Sequence, residues 1–310
     1  TQYHHNRRRV VFVFRSRKRS FVAFLTPALL MIICIQFLPM AYNVVLSFLN
    51  IQLNKPYLPV EFVGFDNYAS ILTDSGFWNS VIVTLIIGIS STVLQLVLGL
   101  TLALLLDIKG RFGKAPAGMG FFRGLLFIPY MIMPIMVGLM WFIFADSNYG
   151  MLNPILQAFG IPTRVWFSDP NTAIWAIVAM DTWQCTPMVM MILSSGLKTI
   201  DGALYEAAVV DGANAWQKFR SITIPLLKPV LKVAVSMRLM DVMRIYDTII
   251  ATTKGGPGEM TEAISVFTQK LGFEQFKTSM GGTTALLITI LILAMSELVV
   301  RVFSTKNDEL

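Results

Sequence analysis

The chain has 310 residues, 55% of them hydrophobic and 14% charged, with a net charge of +7 and a mean hydropathy of +0.64. Soluble domains carry about 25% charged residues, so this composition excludes an ordinary soluble domain and points to the membrane class. A positive balance suggests nucleic acid in a soluble protein; here the basic residues sit at the ends of apolar runs, which is the pattern of membrane orientation.

Residues 1–20 read as a basic cytoplasmic tail, and residues 21–310 as a membrane domain. His4 and His5 stand side by side in the tail without a cysteine or carboxylate cluster, so they make a poor metal site. A bilayer core of about 30 Å needs roughly 20 apolar residues in a helix. On that criterion six spans are predicted in chain order: Phe21–Leu49, Val81–Leu106, Phe121–Ala145, Thr172–Gly196, Pro229–Thr252 and Gly282–Phe303. The first has an apolar run too long for a cleaved signal peptide, and no small-x-small site follows it. Pro39, Pro129, Pro134 and Pro187 fall inside spans. Each bends its helix and frees a carbonyl, either as a packing kink or as part of a cavity lining. Cys34 and Cys185 lie in apolar stretches and imply no disulfide framework. The scattered methionines lack a repeated Met-x-x-Met pattern and read as packing or lipid-facing residues rather than a metal path.

Basic residues set the orientation. The predicted first, third and fifth flanking segments, with the C-terminus, carry eighteen lysines and arginines, whereas the opposite side holds five: Lys55, Arg164, Lys254, Lys270 and Lys277. This bias predicts an all-α integral membrane protein with six spans and both termini in the cytoplasm.

The predicted fourth and fifth spans are joined by a loop over residues 197–228 that is too ordered to be a simple connector. Good helix formers around Ala203 to Val210 precede Gly212, which permits a turn. A second helix places Phe219 and Ile222 on one face and is expected to end at Pro225. The residues leave two readings of that apolar face: packing against the chain's own helix ends, or insertion into a groove on a partner.

Glu206, Ala207, Ala208, Asp211, Gly212, Ala213, Phe219, Ile222 and Pro225 match, in register, the EAA motif of membrane subunits of ABC importers. Phe62 to Tyr68 resembles the segment after the first span in the carbohydrate-uptake branch of that family. Arg238, Asp241, Arg244, Asp247 and Gly255-Gly256-Pro257 resemble its fifth span and outer loop. The resemblance covers nearly the whole chain after the first twenty residues. It implies a type I importer fold in a bacterial or archaeal cytoplasmic membrane, working as the non-catalytic permease of a binding-protein-dependent sugar importer. It also implies partners: a second permease subunit, two ATPase subunits that bind ATP and Mg, and an extracytoplasmic solute-binding protein. No cofactor is expected on this chain. Residues 206–225 would be the coupling helix, with Glu206 contacting the ATPase and Gly212 making the turn.

The predicted fifth span carries Arg238, Asp241, Arg244 and Asp247 at three-residue steps. Each charge costs roughly 2.5–3.5 kcal/mol at the centre of a membrane helix, so the four must pair or face a wet interior. One reading is fixed pairs, Arg238 with Asp241 and Arg244 with Asp247, that set helix packing. The other is a solute path. Asp181, Gln184, Met188, Met237, Asp241 and Arg244 offer the mixture of polar groups and apolar surface that a sugar ring requires.

The stretch Gly110 to Ala115 lacks the spacing and the hydroxyl residue of a P-loop. No histidine lies within a predicted span to activate a serine. Two transport classes remain: a permease subunit driven by a partner ATPase, and an ion-coupled secondary transporter using Asp181 or Asp241 as a proton site. The second predicts internal repeats and no docking loop.

Overall fold

A computed structural model describes residues 22, 24–57, 59–107 and 119–303. The basic tail, His4, His5 and the basic cluster at Lys109 to Lys114 lie outside the described residues. Helix α1 runs Phe24–Ser47 and contains a π-helical turn, Ile33–Phe37, immediately ahead of Pro39. The wider turn relieves the clash that a proline ring makes with the carbonyl four residues back.

A short antiparallel pair follows, β1 (Leu49–Asn50) with β2 (Glu61–Phe62), in the register Leu49 to Phe62. Helix α2 (Asp66–Thr73) carries Asn67, whose amide donates to the carbonyls of Ser47 and Leu49 at 2.8 and 2.9 Å. These bonds secure the end of α1 and the start of β1, where the Thr283 hydroxyl also reaches the Ser47 carbonyl at 3.5 Å. The rings of Phe48 and Phe65 meet edge to face at 5.4 Å, and Tyr68 stands 5.7 Å from each. The Phe62 to Tyr68 segment thus forms a collar on the first span.

Helix α3 (Ser75–Asp107) is 33 residues long, about 50 Å at 1.5 Å per residue. It packs along α7 (Ala173–Lys198), the most deeply buried helix. Between them the chain bends sharply. Helices α4 (Met119–Met131) and α5 (Pro134–Phe144) meet at 91°. Pro134 forces Met133 into an extended conformation (ψ 136°), which breaks the helix there. Beyond α5, Asp146 accepts the backbone N–H groups of Tyr149 and Asn148, which hold its carboxyl below the usual range. A short helix, α6 (Leu152–Ala158), is tied down by Asn153, which takes the indole N–H of Trp166 at 2.9 Å.

After α7 come α8 (Gly202–Val210) and α9 (Ala215–Lys218), then a π-helical turn (Phe219–Thr223) that leads into α10 (Ile224–Val242). The expected stop at Pro225 is corrected here. Pro225 sits in the first turn of α10, where its missing N–H is harmless, and the π turn before it absorbs the ring. The chain breaks after Val242 and resumes as α11 (Asp247–Thr252), which crosses α5 so closely that a Cβ on Gly138 would lie 2.6 Å from that of Ala251. Helix α12 (Ile264–Gln269) and a π turn lead to α13 (Thr278–Phe303).

Among the described residues four helices, α1, α3, α7 and α13, are long and apolar enough to cross a membrane, and the bent pair α4–α5 counts as a fifth when taken as one span. The predicted fifth span, Pro229–Thr252, is not one continuous helix: it is interrupted between Val242 and Asp247. Large apolar side chains stay exposed on many helices, Ile35 at 70% and Ile143 at 67% among them. In lipid this is the normal state, because tails solvate apolar side chains and helices associate by close packing and hydrogen bonds instead.

Candidate functional site: a charged cavity and an exposed elbow

The two interrupted regions, 131–134 and 242–247, come together beside α7. They enclose a cavity of about 570 Å³ lined by Tyr130, Ile132, Pro134, Asp181, Gln184, Cys185, Arg238, Asp241, Arg244, Tyr246, Asp247 and Thr248, with Val242 and Ile245. Irregular backbone at membrane depth is tolerated where it lines such a space.

Two of the lining residues, Arg238 and Asp181, are tied to each other and to Gln95, which stands behind the wall on α3. Arg238, on α10, is 3% exposed, and one of its terminal nitrogens reaches the Asp181 oxygens on α7 at 2.9 and 3.2 Å. Its Nε donates to Gln95 Oε1 on α3 at 2.6 Å. Gln95, fully buried, donates through Nε2 to the Asp181 carboxylate at 2.8 Å and to the Asp181 backbone carbonyl at 3.0 Å. A buried charge is tolerated only when paired and hydrogen-bonded, and this ring of contacts meets both demands.

The open side of the cavity is looser. Asp241 lies between two arginines, with Arg238 Nη1 at 3.7 Å and Arg244 Nη2 at 3.6 Å. Its side chain is 46% exposed and that of Arg244 is 68% exposed. The expected pair Arg244 with Asp247 does not form: Arg244 turns back to Asp241 instead. Arg238 likewise takes Asp181 as its nearer partner and Asp241 only at longer range. Gln184 donates to the Ile132 carbonyl at 3.0 Å, one of the groups released where α4 breaks before Pro134.

Of the residues singled out from sequence, the structure brings Asp181, Gln184, Asp241 and Arg244 to the cavity. Met188 is buried within α7 and Met237 is 40% exposed on α10, and neither lines it. Tyr130, Cys185, Tyr246 and Asp247 line it as well, and Gln95 stands behind it. The signal for Gln95 in the sequence is a long polar amide within an apolar span, following Ser90, Ser91 and Thr92, and such a group marks a buried partner or path.

At the end of α7 the chain forms an elbow. Asp201 caps α8 by accepting from Ala203 N at 3.0 Å. Gly212 adopts φ +76°, and the Ala213 N–H returns to the Ala208 carbonyl at 2.8 Å while the Gly212 N–H bonds the Val209 carbonyl at 3.0 Å. This is a Schellman turn, which needs a residue free of the Cβ penalty. Asn214 and Gln217 then form a capping box for α9. The Tyr205 and Thr223 hydroxyls, 2.9 Å apart, close the base of the elbow. Glu206, Ala207, Asp211 and Gly212 are exposed, Ala208 and Ala213 half-buried, and Pro225 exposed. Phe219 and Ile222 are half-buried, as packing against the chain's own helices requires, while Leu204, Val209, Val210 and Trp216 are the exposed apolar groups, Val210 at 88%. Phe219 turns toward Trp216, with ring centroids 5.5 Å apart.

A multi-pass helical bundle with interrupted helices around a polar cavity is a membrane transport protein by architecture. Residues 95–307 match the family described as "Binding-protein-dependent transport system inner membrane component", and the chain belongs to that family as its non-catalytic inner-membrane permease. It is 36% identical over 252 residues to the trehalose/maltose transport system permease protein MalF of Thermococcus litoralis, covering 80% of this chain and 81% of that one. It is 31% identical to the sulfoquinovosyl glycerol transport system permease protein SmoG of Agrobacterium fabrum, covering 92% and 91%. Among solved structures, a bacterial ABC transporter involved in the import of the acidic polysaccharide alginate superposes with a TM-score of 0.78 at 19% identity, over 94% of this chain and 98% of that one. That likeness concerns the fold.

Proposed function

We propose that the chain moves a sugar or sugar-like solute, such as a di- or oligosaccharide or polyol, across the cytoplasmic membrane. In this reading it pairs with a second permease chain and takes the solute from an extracytoplasmic binding protein. Two ATPase subunits supply ATP and Mg chemistry and grip the elbow between Gly202 and Pro225. The observation that carries this reading is the cavity at the two helix breaks. It offers hydroxyl, amide, carboxylate and guanidinium groups beside the rings of Tyr130 and Tyr246, which is what a sugar needs for its hydroxyls and its ring face. The relatives named for trehalose/maltose and for sulfoquinovosyl glycerol support the saccharide class.

The same reading counts α10 and α11 as one interrupted fifth span, giving six, with both termini and the elbow in the cytoplasm. The excess of basic residues flanking α7 and α10 supports that orientation. ATP-driven closure of the partner ATPases would move the elbow, and α10, continuous with it through the π turn, would carry that motion to Arg238 and Asp241 on the cavity wall.

The direct test is transport by the reconstituted complex with Gln184→Ala and Asp241→Ala. Each is expected to lower substrate-stimulated ATPase and uptake about tenfold, the scale of one or two lost hydrogen bonds. Normal uptake and normal stimulation in both variants would remove the cavity from the path.

A further inference from the structure

We infer that the cavity selects uncharged saccharides over acidic ones and that Asp241 is the residue that imposes this choice; the inference rests on the cavity being the solute path. The lining carries three carboxylates, Asp181, Asp241 and Asp247, against two guanidinium groups, Arg238 and Arg244, which leaves a net charge of −1.

Neither cation is free. Arg238 is committed to Asp181 at 2.9 Å and to Gln95 at 2.6 Å, at 3% exposure. Arg244 is the exposed cation, and Asp241 stands 3.6 Å from it. Asp247 opens α11 and is exposed, with no arginine or lysine within 4.0 Å among the described residues. A uronate entering this space meets the unpaired Asp247 and has to displace Asp241 before it reaches a guanidinium. Both steps disfavour the anion, whereas a neutral sugar hydrogen-bonds to the same carboxylates without either penalty. Discrimination of this kind comes from a repulsive element placed against the competitor.

Asp241 therefore acts as an internal substitute for the anion of an acidic sugar. Removing its charge while keeping its shape, as in Asp241→Asn, releases Arg244 to bind an external carboxylate. The test uses the purified assembly of this chain with its partner permease and ATPase subunits, without the binding protein, so that the binding protein's own choice does not intervene. Binding of a panel of neutral di- and trisaccharides, and of the matched panel carrying one uronic acid, is measured by saturation-transfer NMR.

The wild-type assembly is expected to bind the neutral panel at least tenfold more tightly than the acidic one. Asp241→Asn is expected to shift the ratio at least tenfold toward the acidic sugars, and the Asp241→Asn, Arg244→Gln double variant to lose that shift. Asp247→Asn should move the ratio the same way by a smaller factor, which keeps the test open if Asp241→Asn fails to assemble. Equal or tighter binding of the acidic panel by the wild type would overturn the inference and leave the saccharide path standing. An unchanged ratio in both single asparagine variants would also overturn it. Absence of binding by both panels would overturn it together with the path.

Discussion

Arg238 holds a full charge at 3% exposure in a membrane bundle, and it does so through partners on two other helices. Removing one member of a buried pair strands the other, at a cost of about 3–5 kcal/mol. Arg238→Met is therefore expected to lower the thermal unfolding temperature of the detergent-purified chain by several degrees. Pairing it with Asp181→Asn should recover part of the loss, because no bare carboxylate then remains. Full stability in Arg238→Met alone would show that the ring of contacts carries no load. The charges of the predicted fifth span were legible as requiring partners. Their three-residue spacing suggested pairs along one helix, and one of these, Arg238 with Asp241, forms at 3.7 Å. The stronger partner, Asp181, is 57 residues away in sequence. Helical spacing encodes neighbours on one helix surface; it says nothing about what another helix brings to that surface.

The elbow is an element whose turn was legible from a single glycine. Gly212 sits at φ +76°, and a β-branched residue there pays the left-handed penalty of roughly 1–2 kcal/mol. Gly212→Val is expected to lower uptake by the assembled complex several-fold, while Gly212→Asn keeps most of it, because asparagine visits this region more readily. Equal activity of the two variants would mean that the turn can re-form another way. The orientation of the elbow's faces was less legible. Phe219 and Ile222 form an apolar pair by spacing, yet both lie within the π turn Phe219–Thr223 and are half-buried, while Val209, Val210 and Trp216 are exposed. A π turn shifts every later side chain by part of a turn, and a proline in the first turn of a helix has the same one-letter signature as a proline that ends one.

For the molecule as a whole, a bilayer core of fixed thickness demands apolar runs of fixed length. Four spans were therefore legible from composition alone, and the third and fifth less so. The third predicted span hides a 91° bend behind an apolar sequence, and the fifth is interrupted where it borders the cavity. Cavity-lining stretches give up apolar character and regular backbone, the two signals on which span prediction rests. The orientation has its own check. In a chain with Cys34 and Cys185 replaced by serine, a membrane-impermeant thiol reagent added to the outer side is expected to label Asn171→Cys, in the loop before α7, and to spare Val210→Cys at the elbow. Inside-out vesicles should reverse the pattern. Labelling of both from one side would overturn the proposed topology.

The collar around Phe48 holds α1 at one end, where Asn67 grips its last carbonyls and Asn43 donates to the Gly282 carbonyl at 3.2 Å. None of the apolar stretch of α1 is buried against the rest of the chain. The helix is thus moored like a boat by its stern, and the rest of its apolar length is left for the surrounding lipid and protein to cover. Whatever lies alongside it therefore supplies the contacts that this chain does not make for α1 itself.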